Sequence, residues 1–306
     1  MNDPRAQVGA RVVAIGGGHG LATTLRAVRG YAADITAVVS VADDGGSTGR
    51  LRRDLGVLGV GDLRKCLVAL AADDGIGDED EWAQVFDHRF AAGELDGHAL
   101  GNLVLVGLAE VTGNWQQALE IAGRTLGILG QVLPATSEPV VLKATVDGGE
   151  VEGQVAVQNS PDRIRHIALV PPDAPSPPAV GLAIGLADQI VLAPGSLFTS
   201  LLPALAAKEV HAALAGTDAP IVSVLNLGPQ VPETLGLDVA DHVRAILDAG
   251  VRVDRVLVDP RSRLALDPGA LAALGVECTA AEIARPDVAA HAPAKLASAL
   301  SALLQS

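Results

Sequence analysis

Apolar residues in this chain come in short unbroken runs set between helical patterns, and they seldom alternate with polar ones. Arg11–Ile15 (RVVAI) and Ile35–Val41 (ITAVVSV) predict strands buried on both faces. Between them, Leu21, Leu25 and Val28 share one face of a predicted helix. From Asp62 to Val111 and beyond the spacing is helical, with segments around Leu63–Ala72, Glu79–Ala91, Ala99–Val111 and Trp115–Leu126. Val140–Thr145 and Val151–Val157, joined by Asp147-Gly148-Gly149, predict a β-hairpin, and Pro171 to Pro178 predicts a loop. The α/β rhythm then returns, with strands Gln189–Leu192, Ile221–Leu225 and Arg255–Val258. Helices Leu197–Ala207, Val239–Ala249 and Ala294–Leu304 go with them.

Strand, glycine turn, helix, strand is the opening of a doubly wound sheet. The expected fold is therefore a three-layer α/β/α, Rossmann-like unit with a mostly parallel sheet. A helical insertion (about 62–128) follows strand two, a small β-hairpin occupies about 138–158, and residues 1–306 read as a single domain.

Composition sharpens this. Aromatics are only 2% of the residues, so Val, Leu, Ile and Ala must fill the core. The formal net charge of −14, with no long Lys/Arg run, argues against nucleic acid as a partner. No apolar run reaches the length of a membrane span: Leu100–Val111 is too short and carries Glu110. There is no secretory h-region after Met1, and the cysteines Cys66 and Cys278 are unpaired in spacing. A reduced cytoplasm is expected, with each cysteine a small core residue.

Candidate chemistry gathers at strand ends. Gly16-Gly17-Gly18-His19-Gly20 leads from a strand into a helix, where backbone N–H groups can hold a phosphate. It is neither a clean G-x-G-x-x-G nor a P-loop, which disfavours kinase chemistry and an NAD-dependent dehydrogenase. Asp43-Asp44-Gly45-Gly46-Ser47 ends the second strand; its acids suit a ribose hydroxyl or a hydrated Mg²⁺ held by Asp43 and Asp44, and Arg50 suits a phosphate. Asp62 reads equally as a helix N-cap or a ligand contact, and Arg64 follows it. His98 and Asn102 begin an apolar helix, and Gly195-Ser196 is a second phosphate cradle. No zinc spacing, nucleophile elbow or clear acid–base pair emerges, and no cofactor beyond Mg²⁺ is expected.

These loops carry a resemblance. VVAIGGGHGLATTLRAVRGY, then ITAVVSVADDGGSTGRLRRDLGVLGVGDLRKCLVALA, GHALGNLVLVGLAEVTG, IVLAPGSLFTSLLPALA and VLNLGPQVPETLGLDVADHVRAIL resemble the YvcK-type gluconeogenesis factors of the CofD-like superfamily. The resemblance implies a fold like that of the CofD phospholactyl transferase. It implies binding of a UDP-sugar, notably UDP-N-acetylglucosamine, and a part in cell-wall synthesis and cell shape during growth on gluconeogenic carbon. No established reaction comes with it. It further implies that Gly16–Gly20 and Asp43–Ser47 line the nucleotide site and that Gly195-Ser196 meets the diphosphate. Asn226 and Gln230 face the same crevice, and Arg285 reaches a phosphate. A homodimer is expected through the low-charge helices near Leu100 and Leu201, and a cell-wall synthesis protein as partner.

The chain departs from the family pattern at three places. His19 stands where Thr is common, Asn226-Leu227-Gly228-Pro229-Gln230 lacks the Met-Thr before Gln, and Pro286 replaces the histidine of Arg-His-Asp. The alternative is a Mg²⁺-dependent transferase using a nucleotide diphosphate donor. Against phospholactyl transfer stands Gly61-Asp62-Leu63-Arg64-Lys65-Cys66, where that branch carries an acid-rich Pro-Asp-Leu-Asp run.

Overall fold

The structure, a computed structural model, describes residues 9–71 and 81–305. Strands β1 (Ala10–Gly16) and β2 (Ala32–Val39) flank helix α1 (Gly18–Val28). Helices α2 (Gly46–Leu55), α3 (Val60–Leu70), α4 (Glu81–Asp87), α5 (Leu100–Thr112) and α6 (Trp115–Thr125) precede β3 (Gln131–Pro134). Next come β4 (Val141–Val146), β5 (Gly149–Glu152), α7 (Gln154–Gln158), β6 (Ile164–Val170), α8 (Pro178–Gly185) and β7 (Gln189–Leu192). A π-helical turn, Leu197–Leu201, runs into α9 (Leu202–Leu205) and is followed by α10 (Lys208–Gly216) and β8 (Ile221–Val224). The order ends with α11 (Val239–Asp248), β9 (Arg255–Val258), α12 (Pro268–Ala273), β10 (Glu277–Ala280) and α13 (Pro293–Leu304).

Seven strands make one sheet in the order β10-β9-β8-β7-β1-β2-β3, and every pairing in it is parallel. Helices pack on the sheet, α1 and α9 both touching β1, which is why Val12 to Ile15 read as a continuous apolar run and are buried. A separate antiparallel sheet runs β5-β4-β6. The expected α/β fold, with a mostly parallel sheet and a small antiparallel element, is what the structure has.

Several details differ from the sequence reading. The second hairpin strand, expected over Val151–Val157, is β5 and ends at Glu152: Gly153 takes φ +98°, and α7 begins at once. The hairpin gains a third strand, β6. Helix Leu197–Ala207 opens as a π-helical turn just ahead of Pro203, which has no N–H to donate. Cys66 is buried, but Cys278 is exposed because β10 is an edge strand. Ala72 and Glu79, at the limits of two expected helices, and Met1–Arg5 lie outside the described residues. Among the described residues no helix is long and apolar enough to cross a membrane.

Candidate functional site

The sheet order fixes where a ligand can sit. The chain winds from β1 to β2 and β3 in one direction and from β7 to β10 in the other, so the strand order reverses between β1 and β7. In open α/β sheets the crevice at the carboxyl ends of the strands at such a reversal is the binding place. Ile15 pairs with Leu192, which brings the turns after β1 and β7 side by side. They touch: a Cβ on Gly20 would lie 1.6 Å from the Pro194 carbonyl oxygen.

The first turn presents a partly used nest. α1 starts at Gly18, which takes φ +64°, behind Gly17, whose lack of a side chain leaves the helix end uncapped. Gly18 N–H donates to Asp62 Oδ2 at 2.7 Å. The next two amides of the turn, His19 and Gly20, have no acceptor among the described residues. His19 stands at the rim, and partial desolvation of its ring, then Lys65, lower the imidazole pKa.

The sequence allows Asp62 as an N-cap or as a ligand contact. The N-cap of α3 is Gly59, and Asp62, inside the first turn, reaches instead to the glycine loop while its Oδ1 accepts from Lys65 Nζ at 2.9 Å. Asp43 lies close by. Its Oδ1 accepts from Gly45 N–H at 3.1 Å, and burial, then the Asp62 charge, raise its carboxyl above the ordinary range. Asp43 and Asp62 are thus two neighbouring carboxylates at the crevice, a pairing the sequence did not single out.

Asp44 goes elsewhere. Its Oδ2 accepts from Gln154 N–H at 2.8 Å and its Oδ1 from Val155 N–H at 2.9 Å, capping α7. The adjacent acids therefore do not converge, and the Asp43–Asp44 pair does not fit a Mg²⁺ seat. Among the described residues no group of three His, Cys, Asp or Glu is placed to hold a metal. Asp44→Ala should accordingly cost about 1–2 kcal/mol of stability by uncapping α7. A melting temperature equal to that of the parent protein would show that the cap carries no weight.

Ser47, Arg64, His98 and Asn102, singled out separately, are brought together. Ser47 Oγ lies 3.1 Å from His98 Nδ1, Asn102 Nδ2 donates to Ser47 Oγ at 3.1 Å, and Arg64 Nε donates to Asn102 Oδ1 at 3.0 Å. All four are buried, and Arg64 also pairs with Asp87. The relay ties α2, α3 and α5 behind the acidic loop, and burial, then Arg50, lower the His98 pKa. Arg50 itself is taken up by the Asp96 carbonyl at 2.6 Å. Arg52, which the sequence reading passed over, steadies the acidic loop by donating to the Asp43 carbonyl at 2.9 Å and to the Val140 carbonyl at 2.5 Å.

On the β7 side, Asn226 clamps Gly195. Gly195 N–H donates to Asn226 Oδ1 and Asn226 Nδ2 donates to the Gly195 carbonyl, both at 2.8 Å. Gln230 Oε1 is 3.4 Å from the same Nδ2. The residue missed here is Glu233, buried on the helix start after Gly195-Ser196. It accepts from Phe198 N–H at 2.7 Å, Thr199 N–H at 3.2 Å and Thr199 Oγ1 at 3.3 Å. A carboxylate thus stands on the amides that the sequence reading offered to the diphosphate, and burial raises its pKa. Of that cradle, Gly195 and Ser196 remain half-buried at the crevice. Arg285 is exposed in the loop beyond β10, without a side-chain partner among the described residues.

A parallel sheet wound in two directions, with two glycine turns meeting at the reversal, defines a Rossmann-like α/β protein. The chain belongs to the CofD family: the family described as 2-phospho-L-lactate transferase CofD matches residues 12–283. Relatives it matches carry the names "putative gluconeogenesis factor" and "gluconeogenesis factor". The gluconeogenesis factor of Halalkalibacterium halodurans is 40% identical over 252 residues, covering 81% of this chain and 76% of that one. A relative from Mycobacterium tuberculosis is 41% identical over 306 residues, covering 94% and 89%. The Nostoc relative is 44% identical over 259 residues, covering 83% of this chain, and the match spans 56% of that protein's length. A crystal structure of a UPF0052-family protein from Bacillus halodurans superposes with a TM-score of 0.90 at 34% identity, covering 97% of this chain and 100% of that one.

Proposed function

We propose that the crevice between the β1 and β7 turns binds a nucleotide sugar, with UDP-N-acetylglucosamine the foremost case, and that the bound state regulates wall-precursor synthesis and cell shape according to carbon supply. The observation that carries this reading is the pair of unclaimed amides at His19 and Gly20, set at the strand-order reversal beside the Asn226–Gly195 clamp. Other polar groups around the crevice are tied to one another, which suits a preformed seat more than a moving catalytic set. In this reading the chain works as one CofD-like domain in the cytoplasm, as a homodimer, with a cell-wall synthesis protein as partner. Val111 on α5, 87% exposed, favours that helix as the dimer face, whereas Leu201 is buried.

A second reading is a transferase using a nucleotide diphosphate donor. The family match and the raised carboxyl of Asp43 beside Asp62 favour it, since a carboxylate of raised pKa is a stronger base toward an acceptor hydroxyl. Titration calorimetry with UDP-N-acetylglucosamine, UDP-glucose, GDP and NAD, each with and without Mg²⁺, separates the two. Selective binding of UDP-sugars, recovered intact, is the expected result. Silence toward uridine nucleotides with binding of GDP in Mg²⁺ would sink the first reading in favour of the second.

A further inference from the structure

Helix α11 begins with a reciprocal cap, Asp238 accepting from Asp241 N–H at 2.7 Å and Asp241 accepting from Asp238 N–H at 3.3 Å. One turn in stands His242, 3% exposed, with Nδ1 2.7 Å from the Asp238 carbonyl oxygen. A carbonyl only accepts, so Nδ1 carries the proton and Nε2 of the neutral ring is a bare acceptor. Burial lowers the ring's pKa, which favours this neutral form. Nε2 has no hydrogen-bond partner among the described residues.

The imidazole lines a partly open cavity of about 20 Å³ between the carboxyl ends of β7 and β8. Its other polar walls are Ser223 and the clamped pair Gly195 and Asn226, and Leu197, Leu201 and Ile246 make it apolar elsewhere. A space of that size admits one water-sized group and no ring. An unpaired buried acceptor on a residue lining such a space calls for a donor, because an apolar or accepting group would leave it unpaired.

The crevice has a direction. In the nucleotide-sugar reading the turn after β1 takes the diphosphate and the acidic loop after β2 lies toward the nucleoside. The β7–β8 side is left for whatever the far phosphate carries. Resting on the nucleotide-sugar reading, we infer that His242 Nε2 accepts a hydrogen bond from a hydroxyl or amide N–H of the glycosyl group. It thereby sets the preference for the sugar-bearing nucleotide over the bare nucleoside diphosphate. His242 is a specificity-determining residue in this arrangement.

The test compares UDP with UDP-N-acetylglucosamine by calorimetry on the full chain and on two variants. His242→Asn keeps a side-chain N–H within reach of the Asp238 carbonyl and removes the Nε2 acceptor. His242→Gln extends an amide oxygen toward the Nε2 position. The parent protein should bind the sugar nucleotide more tightly than UDP. In His242→Asn that ratio should fall about tenfold with the UDP affinity within about twofold of the parent, and His242→Gln should recover part of it. An unchanged ratio in His242→Asn overturns the inference and leaves the nucleotide-sugar reading standing. So does a parent ratio of one, or equal weakening of both ligands. If the parent binds neither, the reading itself fails and the inference with it.

Discussion

Gly20→Ala should destabilise the protein by about 3 kcal/mol and weaken crevice binding more than tenfold. The added Cβ would lie 1.6 Å from the Pro194 oxygen, 2.6 Å from its carbonyl carbon and 3.3 Å from the Gly195 nitrogen. All three are backbone atoms, so no side chain can swing away and one turn must move off the other. Moving the Pro194–Gly195 turn also strains the two hydrogen bonds between Gly195 and Asn226. Gly18→Ala is the control: φ is +64° but nothing lies within 4 Å of the added atom. It should cost only the left-handed backbone penalty, about 1–2 kcal/mol, with the turns still in contact. Thermal unfolding and calorimetry of both variants give the comparison. Equal losses in the two would mean that the contact between the turns does not shape the site.

The contrast between those glycines also shows what was legible in the sequence. Strands buried on both faces announce themselves, as at Val12–Ile15 and Ala37–Val39, because helices on both sides of the sheet disfavour polar residues there. The glycine turns announce themselves too, since close backbone approach leaves no alternative residue. Strands at the margins do not. β10, with its mostly exposed Glu277–Ala280, and the four-residue β3 carry no pattern that separates them from loops. The acids were harder still. Sequence shows that a carboxylate wants donors, but the donors of Asp44 lie 110 and 111 residues away, those of Glu233 about 35, and the glycine-loop donor of Asp62 lies 44 away. Asp43 and Asp44 are chemically identical neighbours. Only the packing of α7 against the acidic loop gives one to a helix end and leaves the other beside Asp62.

The same dependence on distant donors makes Asp259 the residue whose loss should cost the fold most. It is 2% exposed at the end of β9, and it takes five hydrogen bonds. Three come from Arg261, through N–H at 2.8 Å, Nε at 3.2 Å and Nη2 at 3.3 Å, and two from the Ile283 and Ala284 amides at 2.8 and 2.7 Å. Burial alone would raise its pKa, but these donors together hold it well below the usual carboxylate range. Asp259→Asn keeps the shape and turns an NH2 group toward one set of donors. It should cost about 3–5 kcal/mol and loosen the loop that carries Arg285. The pH dependence carries the sign. A carboxylate depressed in the fold stabilises fully above its unfolded value, near 3.9, and that contribution is lost as pH falls toward the folded value. The buried His242 and His291 are lowered below about 6.5, so the unfolded chain binds protons first and stability also declines as pH drops from about 7. The parent protein should therefore lose melting temperature in two stages, a histidine stage below pH 7 and a carboxylate stage below about pH 4. In Asp259→Asn the melting temperature should be lower throughout and the second stage reduced. An undiminished second stage would assign the acid lability to carboxylates other than Asp259.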